Sequence, residues 1–399
     1  MLIAFHTQGC KVNQYETQAM RRQMEQAGYE TTEFVPSETQ ADVLVINSCT
    51  VTGESDRKLR QFLRRCRRAL PDAVIVLCGC MSQAYPEAAF DLPEVDIVLG
   101  NAKRNDLLPK LEEFFAEKQR ICCVPPHTSA YEPMEIDAFQ GRTRAFVKIQ
   151  DGCNRFCSYC IIPYARGRVR SRQPQDITNE LTRLAANGYK EVVLVGINLT
   201  AYGQDLGLTI ADAVDAACAV DGLERIRLGS LEPDFITDEV IARMKAQPKL
   251  CPQFHLALQS GCDATLKRMN RHYTTAEYAD LCSRLRHHFP DCAITTDIMV
   301  GFPGKPKRNL SKPVDLWNPL LLRGYISLPI LAVAVPMQIV CPIKSITQPR
   351  TGAVKSCKKS AIATPAHMRL NTSVKPFRYC WKRRIPTVTL TAIPTPIST

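Results

Sequence analysis

The sequence predicts an α/β protein in two parts. An N-terminal parallel-sheet domain spans residues 1–117, and an incomplete parallel (β/α) barrel spans 142–304; a linker at 118–141 joins them and a largely irregular tail, 305–399, follows. Three observations carry this reading. Short apolar runs alternate with amphipathic helical stretches, the rhythm of parallel sheets covered on both faces. The rhythm lapses between about Lys118 and Gly141 and then restarts. After Gly304 it stops: twelve of the 27 prolines fall between Lys305 and Thr399, where Asp315 is the single acid.

In the first part, "LIAFHT" (Leu2 to Thr7) reads as a buried strand, and "NQYETQAMRRQMEQAG" (Asn13 to Gly28) as a helix closed by Gly28. "ADVLVINSC" (Ala41 to Cys49) is a second strand. "SDRKLRQFLRRCRRAL" (Ser55 to Leu70) is a helix with serine at its start and arginines at its end, as the helix dipole favours. "AVIVLCGC" (Ala73 to Cys80) and "VDIVLG" (Val95 to Gly100) complete four strands. The barrel strands are "TRAFVKIQ" (Thr143 to Gln150), "EVVLVGI" (Glu191 to Ile197), "RIRLGS" (Arg225 to Ser230), "FHLALQS" (Phe254 to Ser260) and "AITTDIMVGF" (Ala293 to Phe302). Helices such as "PQDITNELTRLAANG" (Pro174 to Gly188) lie between them. In both architectures ligands gather at the carboxyl ends of the strands.

The formal charge of +12 belongs to the tail. Residues 305–399 carry 16 Lys and Arg against one acid, whereas the first 304 carry 35 basic and 38 acidic residues, a balance of −3. The overall charge is therefore no argument that the folded part binds nucleic acid. The start, "MLIAFHTQGCKVNQYE", lacks the basic n-region of a signal peptide, and no apolar run is long enough to span a membrane. The expectation is a cytoplasmic protein with no membrane partner. Its eighteen cysteines are then reduced thiols, available for metal ligation or as small core residues. Cys66, Cys78, Cys122, Cys123, Cys218, Cys251, Cys262, Cys282 and Cys292 are assigned mostly to the core.

"DGCNRFCSYCIIPYARG" (Asp151 to Gly167) places Cys153, Cys157 and Cys160 at spacing C-x3-C-x2-C, just past the first barrel strand. A structural zinc site calls for four ligands that close the metal off. Three thiolates suit a 4Fe-4S cluster with one iron left open, and the missing fourth ligand is then the place where chemistry happens. A second trio is dispersed: Cys10, Cys49 and Cys80 each follow a predicted strand and would meet at the carboxyl edge of one sheet. Three ordinary buried cysteines at strand ends is the alternative. Cys78 lies two residues before Cys80, deeper in the sheet, and is left out.

The stretch "VKIQDGCNRFCSYCIIPYARG" resembles the radical S-adenosylmethionine (SAM) enzymes and, more narrowly, their methylthiotransferase family; the resemblance runs from about Met1 to Gly304. It implies that the partial barrel is a radical SAM barrel and that there are two 4Fe-4S clusters. Cys153, Cys157 and Cys160 would be the catalytic set, whose open iron binds SAM and cleaves it to a 5′-deoxyadenosyl radical. Cys10, Cys49 and Cys80 would hold the auxiliary cluster that delivers a methylated sulfur. "GCKVNQYET", "RIRLGSLEP" and "HLALQSGCDATLKRMNRHYT" resemble the branch acting on N6-threonylcarbamoyladenosine in tRNA. Other branches act on isopentenyladenosine in tRNA or on a ribosomal protein. The implied partners are a tRNA and an electron-donor protein; the oligomeric state is left open.

Tyr159 is placed near the SAM adenine, or simply beside the cluster. Asn198, Ser230, Glu232 and Gln259 fall at the ends of barrel strands as SAM contacts, or as strand-end caps. Arg166, Arg168, Arg170 and Arg172 alternate past the cluster loop, for a carboxylate, for RNA phosphates or as a solvated charged face. The tail departs from the family after "VGFPG". It reads as a disordered linker or an out-of-frame product lacking the family's RNA-binding TRAM domain. The barrel would then lack its closing unit and expose a strand edge. A non-catalytic iron–sulfur or zinc RNA-binding protein, or an inactive truncated methylthiotransferase, is the competing expectation.

Overall fold

The computed structural model describes residues 1–300 except 37, 51 and 52, together with Phe302 and the strand Gly324–Pro329. The alternating strands and helices form two parallel systems. In the first, β1 (Leu2–Gln8), β2 (Glu30–Glu33), β3 (Val43–Ser48), β4 (Val74–Gly79), β5 (Ile97–Leu99) and β6 (Ile121–Cys123) form one sheet in the order β2-β1-β3-β4-β5-β6. Every neighbouring pair is parallel. Helices α1 (Lys11–Gln26), α2 (Gly53–Ala69), α3 (Cys80–Ala84), α4 (Pro86–Phe90) and α5 (Leu107–Glu117) connect these strands. The central strands β3 and β4 are buried at every position, which is why they read as unbroken Val/Ile/Leu runs.

The barrel strands are β7 (Ala145–Lys148), β10 (Glu191–Val195), β11 (Arg225–Leu228), β12 (Ser230–Leu231), β13 (Gln253–Leu256), β14 (Ala293–Val300) and β15 (Gly324–Pro329). They pair in parallel as β7-β10-β11 and as β12-β13-β14-β15, with Gly229 separating β11 from β12. A two-stranded antiparallel ribbon, β8 (Gln150–Asp151) with β9 (Arg170–Ser171), brackets the loop between them. Helix α6 (Ile162–Arg166) ends that loop; α7 (Pro174–Ala186), α8 (Ile210–Cys218), α9 (Asp238–Lys245), α10 (Asp263–Arg268) and α11 (Thr275–His288) follow. Their starts are written locally: proline opens α7, and reciprocal capping boxes, Thr209 with Asp212 and Thr274 with Glu277, open α8 and α11.

Two expectations are corrected. The segment 118–141 begins with β6, the sixth strand of the first sheet, and its Met134, Ile136 and Phe139 are buried in the core shared with the barrel. Polar anchors, not periodicity, hold it: the Tyr15 hydroxyl donates to Met134 O at 2.5 Å and Ile136 N donates to Glu180 Oε1 at 2.6 Å. The edge expected to be open is also covered, because β15 pairs along β14 from Thr295↔Gly324 to Val300↔Pro329. The remainder of the tail, with the expectations of an irregular course and a missing TRAM domain, lies outside the described residues.

Candidate functional site

The barrel cluster loop is built by its backbone. β7 and β8 deliver the chain to Gly152, whose φ of +74° is the left-handed region. A Cβ there would lie 1.8 Å from Arg168 O, so only glycine lets Cys153 follow. Cys153 N donates to Gly167 O at 3.0 Å, closing the loop that carries all three cysteines. Gln150 fixes the loop to the end of β10: its Oε1 accepts from Ile197 N (2.8 Å) and Asn198 N (2.9 Å), and its Nε2 donates to Gly152 O (2.7 Å).

Cys153, Cys157 and Cys160 come within electrostatic reach of one another. Burial pushes the Cys160 thiol up to about 12 and raises Cys153. N–H donors point at two of the sulfurs. Arg271 Nη1 lies 3.3 Å from Cys157 Sγ; Arg155 N and Asn198 Nδ2 lie 3.4 and 3.8 Å from Cys153 Sγ. Donors of this kind stabilise thiolate character and tune a metal held by it.

The other proposed contacts lie in varied settings. Tyr159 meets Phe302 edge-on at 6.1 Å, and burial raises its hydroxyl. Asn198 is buried, and its Oδ1 accepts from Thr200. Glu232 is paired with Arg271, the residue that also reaches Cys157. Ser230 is exposed beside His255 of β13. Gln259 has φ +61° and exchanges backbone hydrogen bonds with Asp297 and Met299 of β14.

The dispersed trio also converges. β1, β3 and β4 are adjacent strands; Cys49 and Cys80 immediately follow the carboxyl ends of β3 and β4, and Cys10 lies two residues past that of β1. Gly79, with φ +103°, makes the turn into Cys80; a Cβ there would lie 2.2 Å from Ser48 O. A hydrogen bond from Cys49 draws the Cys80 thiol down to about 6; burial opposes this, and the Arg166 guanidinium supports it. Cys10 Sγ lies 3.2 Å from Asn13 Oδ1. Cys78 is fully buried in the core, and burial pushes its thiol up to about 12.

Between the two trios lies an ion network that no sequence pattern announces. Glu16 of α1, 0% exposed, meets Arg104 at 3.1 Å, Lys148 at 3.0 Å and Arg166 at 2.7 Å. Asp151 meets Lys148 at 3.1 Å, Arg166 at 3.2 Å and Arg170 at 3.7 Å, and its Oδ1 accepts from Gly152 N at 2.9 Å. Arg172 is paired with Glu180. The four alternating arginines are therefore not one solvated face: Arg166, Arg170 and Arg172 are buried in ion pairs and Arg168 alone among them is exposed.

Among the described residues, no three His, Cys, Asp or Glu side chains close around a single metal ion. A four-iron cube spreads three thiolates over different corners, so its ligands stand further apart than those of one ion. The two donor sets, thiols only and three to each, fit such a cube better than a closed four-ligand zinc site. No helix among the described residues is long and apolar enough to cross a membrane.

Two family models match the chain. A family model described as "Uncharacterized protein family UPF0004" matches residues 2–100, and one described as "Radical SAM superfamily" matches residues 147–312. The chain is 43% identical over 309 residues to the threonylcarbamoyladenosine tRNA methylthiotransferase MtaB of Bacillus subtilis, covering 76% of this chain and 67% of that one. It is 38% identical to the protein of the same name from Aquifex aeolicus, covering 79% and 77%. It is 36% identical to the tRNA-2-methylthio-N(6)-dimethylallyladenosine synthase of Clostridium beijerinckii, covering 79% and 70%. Among solved structures, the radical S-adenosylmethionine methyltransferase TsrM of Kitasatospora setae superposes with a TM-score of 0.60 at 15% identity, covering 83% of this chain and 75% of that one, a likeness of fold.

Proposed function

The chain belongs to the radical SAM tRNA methylthiotransferases of the MtaB type, and from that membership we propose that it adds a methylthio group to C2 of N6-threonylcarbamoyladenosine next to the anticodon. The observation that carries the proposal is the pair of three-cysteine sets at the carboxyl edges of two parallel systems, joined through Arg166.

Cys153, Cys157 and Cys160 would hold one 4Fe-4S cluster, and Cys10, Cys49 and Cys80 a second. With SAM, such clusters supply a carbon-centred radical able to activate an unreactive C–H bond, and a site from which sulfur can be transferred. The chain's own residues bind, orient and shield. Arg271 and Asn198 donate to cluster-ligand sulfurs, and Gln150 keeps the loop seated on β10. Asn198, Ser230, Glu232 and Gln259, at or just past strand ends, and Tyr159, on the cluster loop, would contact the SAM molecule. The Asp151–Arg166–Glu16 network holds the two cysteine sets in fixed relation, which favours transfer between ligands bound at each. The partners are a tRNA and a protein electron donor, and the compartment is the cytoplasm.

The test is mass spectrometry of nucleosides from tRNA treated with anaerobically reconstituted protein, SAM and reductant. The expected product is the 2-methylthio derivative of threonylcarbamoyladenosine. Methylthiolation of isopentenyladenosine in its place would move the chain to the other tRNA branch.

A further inference from the structure

The large hydrophobic side chains exposed among the described residues are Met1, Val35, Phe156, Tyr164 and Phe235. All three aromatic ones surround the barrel cluster loop. Phe156 and Tyr164 lie on the loop and on α6, edge-on at 6.1 Å; Phe235 follows β12. They are 37%, 56% and 47% exposed, so none is a core residue with a protruding rim.

Each platform includes a guanidinium. Arg168 lies over the Phe156 ring at 4.6 Å and Arg155 over the Phe235 ring at 4.7 Å. Arg155 is fixed by Asp234 and by His272 Nδ1 at 2.8 Å. Among the described residues no ion pair holds the exposed Arg168.

The backbone is held in an unusual form to present these rings. Phe156 has φ +48° and Phe235 φ +66°, a region that bulky residues avoid. Asn270 Nδ2 pins the first bend, donating to Arg155 O at 3.3 Å and Phe156 O at 3.0 Å. Backbone strain of this kind collects where a bound partner uses the displayed group.

We propose that this rim of rings and guanidinium planes stacks the unpaired bases that flank the target adenosine in the tRNA anticodon loop. The proposal rests on the tRNA reading above. A nucleotide must leave its stack for an enzyme to reach the edge of its base. Its neighbours then lose stacking partners, and exposed aromatic and arginine planes at the mouth replace them.

The experiment is titration of the cluster-loaded full chain with an anticodon stem–loop hairpin carrying 2-aminopurine beside the target adenosine. Tyr164→Ala and Phe235→Ala are expected to weaken binding about 5- to 150-fold each. The loss should persist at high salt, and 2-aminopurine quenching should fall. Tyr164→Trp should bind as wild type does. Arg168→Gln should lower the slope of log K against log salt by about 1. Iron content confirms the fold of every sample, and Tyr164→Leu or Phe235→Leu, which keep apolar bulk but remove the ring, replaces any alanine variant that loses iron. If wild type binds the hairpin and both alanine variants bind equally well, the inference falls while the tRNA reading stands. If wild type does not bind it, both fall.

Discussion

Arg166 and Glu16, 150 residues apart in the chain, form a two-pronged ion pair from which water is excluded. Nη1 lies 2.7 Å from Oε1 and Nη2 3.1 Å from Oε2. Glu16 belongs to the helix that starts beside Cys10, and Arg166 to the helix that follows Cys160. The pair is thus the mechanical join between the two cysteine sets, and Arg166 also hydrogen-bonds Cys80.

Removing one partner leaves buried charge uncompensated. Glu16→Gln is expected to cost about 3–5 kcal/mol of stability, measured by urea denaturation. A cost below about 1 kcal/mol, the range of an exposed pair, would show that the network is not a structural join.

The same pair predicts acid sensitivity. Burial alone would raise the Glu16 carboxyl, but Arg104, Arg166 and Lys148 outweigh it and hold it at about 2. The unfolded value is about 4.3. The folded value lies below it, so the contribution is full above the unfolded value and is lost as pH falls towards 2. Glu180, raised by burial, works in the opposite sense: its contribution is lost as pH rises through its folded value. The comparison is therefore between wild type and Glu16→Gln. Denaturation free energies should converge on acidification from about pH 4.5 to 2, and parallel curves would contradict the assignment.

Two glycines predict selective loss of each site. Gly152→Ala forces a Cβ into Arg168 O and should abolish the Cys153 set, removing about half the iron. Gly79→Ala forces one into Ser48 O and should remove about the other half. Gly188, with φ +88° and nothing within 4 Å of its added Cβ, is the control. Gly188→Ala should keep its iron. Equal losses in all three variants would mean that general instability, not site geometry, is measured.

Arg271 predicts a difference in how tightly the two sites hold iron. Its Nη1 is the charged donor to Cys157 Sγ. Arg271→Ala should weaken the barrel site about 10- to 100-fold against a chelator while the auxiliary site is unaffected. Chelation kinetics followed by the iron–sulfur absorbance and electron paramagnetic resonance separate the two. Unchanged kinetics at the barrel site would remove Arg271 from its support.

The sequence exposes what is local. Strands β1, β3 and β4 are apolar runs followed within two residues by Cys10, Cys49 and Cys80, and adjacency of such strands brings their ends together. The Cys153 triplet is legible because its spacing is itself the signal. Arg166, Arg170 and Arg172 are opaque, because their partners Glu16, Asp151 and Glu180 are selected by tertiary contact; an alternating charge pattern resembles a solvated face. Arg271 is hidden for the same reason, lying 114 residues from Cys157. The segment from Met134 to Phe139 shows no period because side-chain hydrogen bonds from elsewhere in the chain, not a repeat, seat it. Phe156, Tyr164 and Phe235 look like core residues in a sequence, and only exposure reveals otherwise.

The central claim is that six cysteines make two clusters. Its most direct test is iron and sulfide content of the anaerobically reconstituted full chain beside two triple-alanine variants, one at Cys153, Cys157 and Cys160 and the other at Cys10, Cys49 and Cys80. The account predicts about eight irons with matching sulfide in wild type and about four in each variant. About four in wild type, abolished by the first variant and untouched by the second, would contradict it.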